Sequence, residues 1–437
     1  MQDNKSISAI NSWMLLSICI AAVLLLLTNS IVSLGKNIPQ DDIVTDYLIG
    51  VIWAVMFGIV ILLLPTHDRV AIFSVWLAKI FVTLVAMLFY EANYGLDSYY
   101  YFSAPRDYNF EWTGFNIGSG SENITNLVWL CYKVMPQSFH ALKVTFAMVG
   151  LVAIYVFYRS AVMFLEKENI QVLYAIGFFP SILFWSSIFG KDPIALLGIS
   201  FYTYGVVGWY KSQRLRYLWI LGFGILLATF IRSWLGIILL APMALLTVRS
   251  VRGILTKVIL TVLISSALLL AWGSLQQQFG LENYEDTLET LNTQSRSWSK
   301  GGAGQEVTAD FTQGNQAIAF LPLGIFTALF RPLPGEILNP FGLLAGVENF
   351  WLLLQLWRAI KVTRWKDLNT PLIQWAVLFV LIWGSAYGFV SYQNLGTAVR
   401  FKLQVLPVLL CLLLYLRRQR QPAPTSKSFV AANKFKK

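Results

Sequence analysis

Apolar residues come along this chain in long blocks, not in the alternation of a half-buried strand or the narrow stripe of a surface helix. Runs near 12–33, 46–65, 70–90, 141–158, 170–188, 193–210, 217–231, 235–248, 256–273, 341–358, 371–390 and 402–416 are dominated by Leu, Ile, Val, Phe and Ala. A helix needs about 20 such residues to cross the hydrocarbon of a bilayer. The pattern therefore predicts an all-α fold, a polytopic integral membrane helix bundle of about 12 transmembrane helices. The first run, 12–33, is too long for a signal-peptide core and lacks a small-residue cleavage site, so it is expected to be a retained helix. A further stretch, 315–330 (NQAIAFLPLGIFTALF), is short and interrupted by Pro322. It is predicted to be a re-entrant or interfacial segment that dips in and returns, leaving the turn 331–336 (RPLPGE) at a wet cavity. Residues 1–416 then form a single transmembrane domain with loops 91–140 and 274–340 on one face, and 417–437 is a basic tail expected to be disordered.

Composition supports this reading. Of 437 residues, 57% are hydrophobic and 13% charged, where soluble proteins carry roughly a quarter charged. The net charge of +11 is a topology signal. With the N-terminus in the cytoplasm, the segments KSQRLR, RSVR, RAIKVTRWK and the RRQR tail all fall on the cytoplasmic side, as the positive-inside bias requires. They read as anchors beside anionic lipid, and no nucleic-acid partner is expected. Both termini are placed in the cytoplasm of a plasma (inner) membrane. Cys19 and Cys411 fall in apolar runs and Cys131 in a loop; with His67 and His140 they make no metal-site spacing.

Four cations break the bias. Lys191 (GKD), Arg232 (FIRSW), Arg331 (FRPLPGE) and Arg400 (GTAVRFK) lie at the outer ends of apolar segments. Placing charge there is costly, and guanidinium groups grip phosphate oxygens bidentately. Together they suggest a site for a lipid-linked phosphate or diphosphate; singly, each has a snorkelling or locally paired alternative, Lys191 with Asp192 and Arg331 with Glu336. The loop EANYGLDSYYYFSAPRDYNFEW (91–112) sets aromatic rings among carboxylates, as a saccharide surface needs, or as an interfacial aromatic belt would. Tyr99, Tyr100, Asp107 and Asp192 are its candidate saccharide ligands. Asp97 and Glu336 are the candidate catalytic acids, and Asp107, Asp192 and Glu348 are further acids in reach of a sugar hydroxyl. Residues 124–135 have helical apolar spacing, predicting an amphipathic helix lying on the outer leaflet, and Asn123-Ile-Thr125 matches a glycosylation sequon. The Gly- and Ser-rich loop 274–314, with Arg296 and Lys300, is expected to be a lid or a plain connector.

The segments FPSILFWSSIFGKD, ALFRPLPGEILNPFGLLAGVE and NLGTAVRFKLQVLP, in that order, resemble parts of the bacterial Wzy-type O-antigen and exopolysaccharide polymerases and related GT-C-type membrane glycosyltransferases. The likeness covers 178–193, 327–348 and 394–407. It implies an enzyme of the cell envelope that joins undecaprenyl-diphosphate-linked saccharides outside the plasma membrane, with export or chain-length proteins as partners. It also implies Arg331 and Arg400 as diphosphate-binding arginines, helped by Lys191 and Arg232. The chain departs from the family where its first outer loop, 34–45, is too short to carry a catalytic acid, which passes that role to Asp97. SRSWSKGG does not reproduce the family's outer-loop arginine motifs. No cofactor is expected, with room left for a divalent ion on the acids of 91–111. A lipid-linked saccharide flippase or transporter, and a non-catalytic assembly protein, are the alternative readings.

Overall fold

The computed structural model describes residues 14–24, 33, 37–94, 96–251, 253–279 and 314–418, and between 280 and 313 only 289, 290, 292, 293, 296 and 304. Most of the expected lid, including Lys300, the N-terminal segment 1–13 and the basic tail beyond 418 lie outside the described residues.

Among the described residues the regular elements are all helices. They are α1 (Met14–Leu24), α2 (Ile43–Leu63), α3 (Arg69–Asn93), α4 (Asp97–Ser103), α5 (Gly120–Cys131), α6 (Phe139–Leu165), α7 (Ile170–Gly177), α8 (Pro180–Trp185) and α9 (Lys191–Ser212). They continue with α10 (Leu215–Ile231), α11 (Leu235–Ser250), α12 (Ile254–Phe279), α13 (Gly314–Phe330), α14 (Pro340–Val362), α15 (Trp365–Leu368), α16 (Pro371–Gln393), α17 (Leu395–Lys402) and α18 (Leu406–Leu416). Among the described residues, five helices are long and apolar enough to cross a membrane, or six if α17 and α18, bent by 72°, make one broken span. The hydropathy pattern led us to expect twelve spans. The remaining apolar runs are short, broken or mixed with polar residues: α10 and α11 have 17 and 16 residues, the run 170–188 breaks at Phe178–Phe179 and again after Trp185, and α9 and α14, though 22 and 23 residues long, are less apolar.

The second of these breaks places two charged residues. After α8 the backbone is non-helical from Ser186 to Gly190, then α9 begins at Lys191 itself. Lys191 and Asp192 are thus the first turn of a helix, not a loop between two spans. Gly190, at φ 157°, makes the swing that L residues rarely adopt. The step is held from the side by Lys79 of α3, which is fully buried and donates to the Ser186 carbonyl (2.9 Å), Ser186 Oγ (2.6 Å) and Ser187 Oγ (3.0 Å). These bonds occupy a carbonyl that the end of α8 would otherwise leave unpaired. Gly150 of α6 lets the same step approach, since a Cβ there would run into the Ser186 carbonyl.

α9 and α10 form the tightest hairpin. Gly198, Gly205 and Gly208 of α9 meet Ala228, Leu221 and Tyr217 of α10, while Gly224 returns the contact against Tyr202. Small residues at such a seam let helices pack by dispersion where lipid offers no hydrophobic drive. The hairpin brings the start of α9 beside the end of α10. Two buried pairs lie among the starts of α2 and α6 and the end of α3: Asp46 with His140 (2.5 Å) and Glu91 with Lys143 (2.8 Å). Phe189, just before α9, packs on Phe139 and Phe146 of α6. These termini share one end of the bundle, the site end.

Three expectations change. Pro322 does not interrupt 315–330: α13 is continuous through it, a proline costing the helix one hydrogen bond without ending it when neighbours support the backbone. α13 runs antiparallel to α16, with Gly324 against Gly388 and Ile325 against Gly384. The break falls instead at 331–336, where the chain turns against Gly346 and Asn349 of α14 and then leads back to the start of that helix. The expected leaflet helix is α5, and it turns its polar residues inward: Asn123, Thr125 and Asn126 are buried with Ile124 and Val128. Asn123 donates to the carbonyls of Phe230 and Asn116 (both 2.7 Å), so this sequon is a packing residue. Cys131 ends α5 instead of lying in a loop.

Candidate functional site

Asp192 is 2% exposed and is clamped by two arginines from distant parts of the chain. Its Oδ1 accepts from Arg232 Nη2 at 3.0 Å and its Oδ2 from Arg400 Nε at 2.6 Å. Arg232 follows the last residue of α10 and is delivered by the α9–α10 hairpin; Arg400 comes from α17. Pro193 in the first turn of α9 has no N–H to leave unpaired, and the helix N-terminus adds favourable potential for the carboxylate. Each guanidinium also lies over a ring, Arg232 over Phe401 at 4.1 Å and Arg400 over Trp185 at 5.9 Å, contacts that favour cations in a desolvated setting.

The two arginines differ in access. Arg232 is buried, whereas the Arg400 side chain keeps 27% of its surface. Only Nε of Arg400 is hydrogen-bonded among the described residues, which leaves both Nη groups for another acceptor. Lys191 stands next to them, donating to Ser121 Oγ of α5 at 2.7 Å and sitting 6.0 Å over the Tyr101 ring. Asp97, exposed at the start of α4, shares a small cavity with Arg400, Gly190 and Tyr101 and acts electrostatically on both Arg400 and Lys191. Five residues singled out from sequence, Asp97, Lys191, Asp192, Arg232 and Arg400, are thus gathered in one place.

Beside them opens a cavity of about 240 Å³. Its wall is aromatic: Tyr90 meets Phe184, Trp185 and Phe341 edge to face at 5.6, 5.7 and 5.5 Å between centroids. Arg400 and Glu348 are its charged lining. Glu348, in the third turn of α14, is 5% exposed. Its Oε2 accepts from the Ser181 backbone N–H at 2.7 Å, while Oε1 has no hydrogen-bond partner among the described residues. The cavity joins the three segments 178–193, 327–348 and 394–407.

Other expected residues do not join this cluster. Arg331 pairs within its own turn, Nε and Nη2 reaching Glu336 Oε1 at 2.8 and 2.7 Å. Glu336 also accepts from the Leu333 N–H at 2.6 Å. Burial would raise this carboxyl, but Arg331 and the Leu333 amide outweigh it and hold it below the usual carboxylate range. The pair closes the turn. Tyr99 donates to the Glu91 carbonyl at 3.3 Å and packs on Phe139; Tyr100 is 61% exposed against Tyr101. Asp107 accepts from the Asn109 N–H at 2.9 Å, a local turn on the surface. Arg106 bonds the Pro39 carbonyl and Gln40 Oε1. Among the described residues no three His, Cys, Asp or Glu side chains are grouped to hold a metal ion.

Sequence reasoning missed the aromatic wall and the weight of Glu348. The available signal was a lone carboxylate inside an apolar run, which is expensive in a membrane and marks a functional position by default. Chemically, the arrangement offers an anion the free Nη groups of one guanidinium, Arg400, and the nearby Lys191 ammonium, next to flat rings and a carboxylate with a spare oxygen. Compared with family models, curated proteins and solved structures, the chain matches none of them.

Proposed function

We propose that this protein is a multi-pass glycosyltransferase or polymerase of the plasma membrane, joining polyprenyl-diphosphate-linked saccharides on the extracytoplasmic side. In this reading the chain crosses about twelve times, using the short and broken helices together with the long ones. Both termini are cytoplasmic and the site end faces out, which leaves the basic loops inside. Arg400, with Lys191, holds the diphosphate of the donor; Arg232 and Asp192 position Arg400. The aromatic wall stacks on a sugar ring. As the glycosidic bond to the lipid diphosphate breaks, fixed cations stabilise the charge on the leaving oxygen. Arg331 and Glu336, paired with one another, take a structural part here and are set aside as diphosphate ligand and base.

The observation that carries this reading is Arg400: one edge is fixed by Asp192, and its Nη groups are unbonded at a cavity walled by Tyr90, Phe184, Trp185 and Phe341. The cavity is smaller than the roughly 300–1,000 Å³ of ordinary ligand clefts, so one ring enters and the lipid tail and further sugars stay outside. Transport is the weaker reading, because the buried pairs Asp46–His140, Glu91–Lys143 and Asp192–Arg232 gather at one end instead of lining a path through the bundle.

The test is binding of undecaprenyl diphosphate to the purified protein in phosphatidylcholine nanodiscs, measured by native mass spectrometry. Losing two charge-assisted hydrogen bonds should weaken binding at least tenfold in Arg400→Ala, while Arg331→Ala stays near wild type. Equal binding by wild type and Arg400→Ala would retire the proposal.

A further inference from the structure

We infer that Glu348 is the proton-accepting residue of the site and that the cavity beside it receives the sugar whose hydroxyl attacks. This rests on the transferase reading and assigns the base that neither Asp97 nor Glu336 supplies. Asp97 lines the small cavity with Gly190 and Tyr101, not the one that Glu348 lines. Glu336 spends its carboxylate on Arg331 and Leu333.

Glu348 combines three properties a base needs. It is buried, so its carboxylate is not levelled by water. It is oriented, because the Ser181 N–H, at the start of α8, fixes Oε2 at 2.7 Å. Its other oxygen is unpartnered among the described residues, and a buried acceptor without a hydrogen bond carries a cost of about 1–3 kcal/mol that a bound hydroxyl would remove. Its surroundings are built as a unit: the neighbouring Asn349 is tied to Lys402 and donates to the Pro332 carbonyl at 2.9 Å. Glu348 and Arg400 line the same cavity, so base and leaving-group cation can act on one substrate pair.

In the transfer step the acceptor O–H gives its proton to Glu348 Oε1 while the oxygen's electron pair forms the new bond to the anomeric carbon of the donor. The bond from that carbon to the diphosphate oxygen breaks, and its electron pair leaves with the polyprenyl diphosphate, held by Arg400 and Lys191. The protonated Glu348 later releases its proton to solvent through the cavity mouth.

The experiment tracks release of undecaprenyl diphosphate, a product common to any sugar composition. Lipid-linked saccharides extracted from the host envelope are supplied to the protein in nanodiscs. Glu348→Gln keeps an oxygen for the Ser181 N–H but cannot take a proton. General-base loss should lower kcat about 100-fold or more, with KM and undecaprenyl diphosphate binding within about threefold of wild type. Glu348→Asp should recover part of the loss, which a purely structural role would not produce. Turnover by Glu348→Gln within threefold of wild type overturns the assignment, as does a variant that no longer binds undecaprenyl diphosphate, since Glu348 then serves the fold. A wild-type protein that binds undecaprenyl diphosphate but releases none overturns the transferase reading itself.

Discussion

Replacing Asp192 by asparagine should cost more stability than any other single change at the site end. The amide keeps one acceptor oxygen where the carboxylate has two, and turns an N–H₂ toward a guanidinium that also only donates. Arg232, 7% exposed, then stays buried without its counter-ion. Breaking a buried pair from one side typically costs about 3–5 kcal/mol. The share from Arg400 is smaller, since its side chain keeps 27% of its surface and water screens it. The low end, about 3 kcal/mol, is therefore expected, roughly a hundredfold in the folding equilibrium. Denaturant titration in detergent micelles, monitored by tryptophan fluorescence, reads this directly. The double variant Asp192→Asn with Arg232→Met removes the orphaned charge and places an apolar chain on Phe401, so it should recover about half the loss. A single variant within about 0.5 kcal/mol of wild type, or a double variant equal to the sum of its parts, would refute the clamp.

Packing and local charge give three more outcomes. Gly150→Ala forces the Ser186 step away from α6 and strains the Lys79 contacts; folded, monodisperse yield should fall several-fold, read by size exclusion in detergent. Because Arg331 and the Leu333 amide lower the Glu336 carboxyl, the 331–336 turn is fully held above the ordinary glutamate range near about 4.3 and loosens as pH falls through the lowered value. Hydrogen exchange at the Leu333 amide should accelerate only there, and Glu336→Gln should abolish the pH step. Expressed in a glycosylating host, the protein should carry no glycan at Asn123, which is 3% exposed and bonded to Phe230; Asn123→Gln should change the intact mass by no more than the substitution itself.

The convergence of Lys191, Asp192, Arg232 and Arg400 was legible because charge at the end of an apolar run is expensive, so its presence already carries information. Arg331 looked the same by that criterion. Its difference lies in Glu336 five residues on, and in a turn that lets the two meet. The aromatic wall was not legible: Tyr90, Phe184, Trp185 and Phe341 sit in apolar stretches where any ring reads as lipid-facing. The short and broken helices were hidden for a related reason. Hydropathy marks where chain enters hydrocarbon, but not that a serine pair, a glycine and a buried lysine can step a run such as 170–188 into pieces.

The glycine seam between α9 and α10 has a consequence for the order of assembly. It locks two sequence neighbours along their whole length, so Asp192 and Arg232 meet as soon as that hairpin exists. Arg400 arrives only when the C-terminal helices dock. A nascent chain therefore holds the Asp192–Arg232 pair with Lys191 beside it, and gains the guanidinium whose Nη groups face an anion only once its last third is in place.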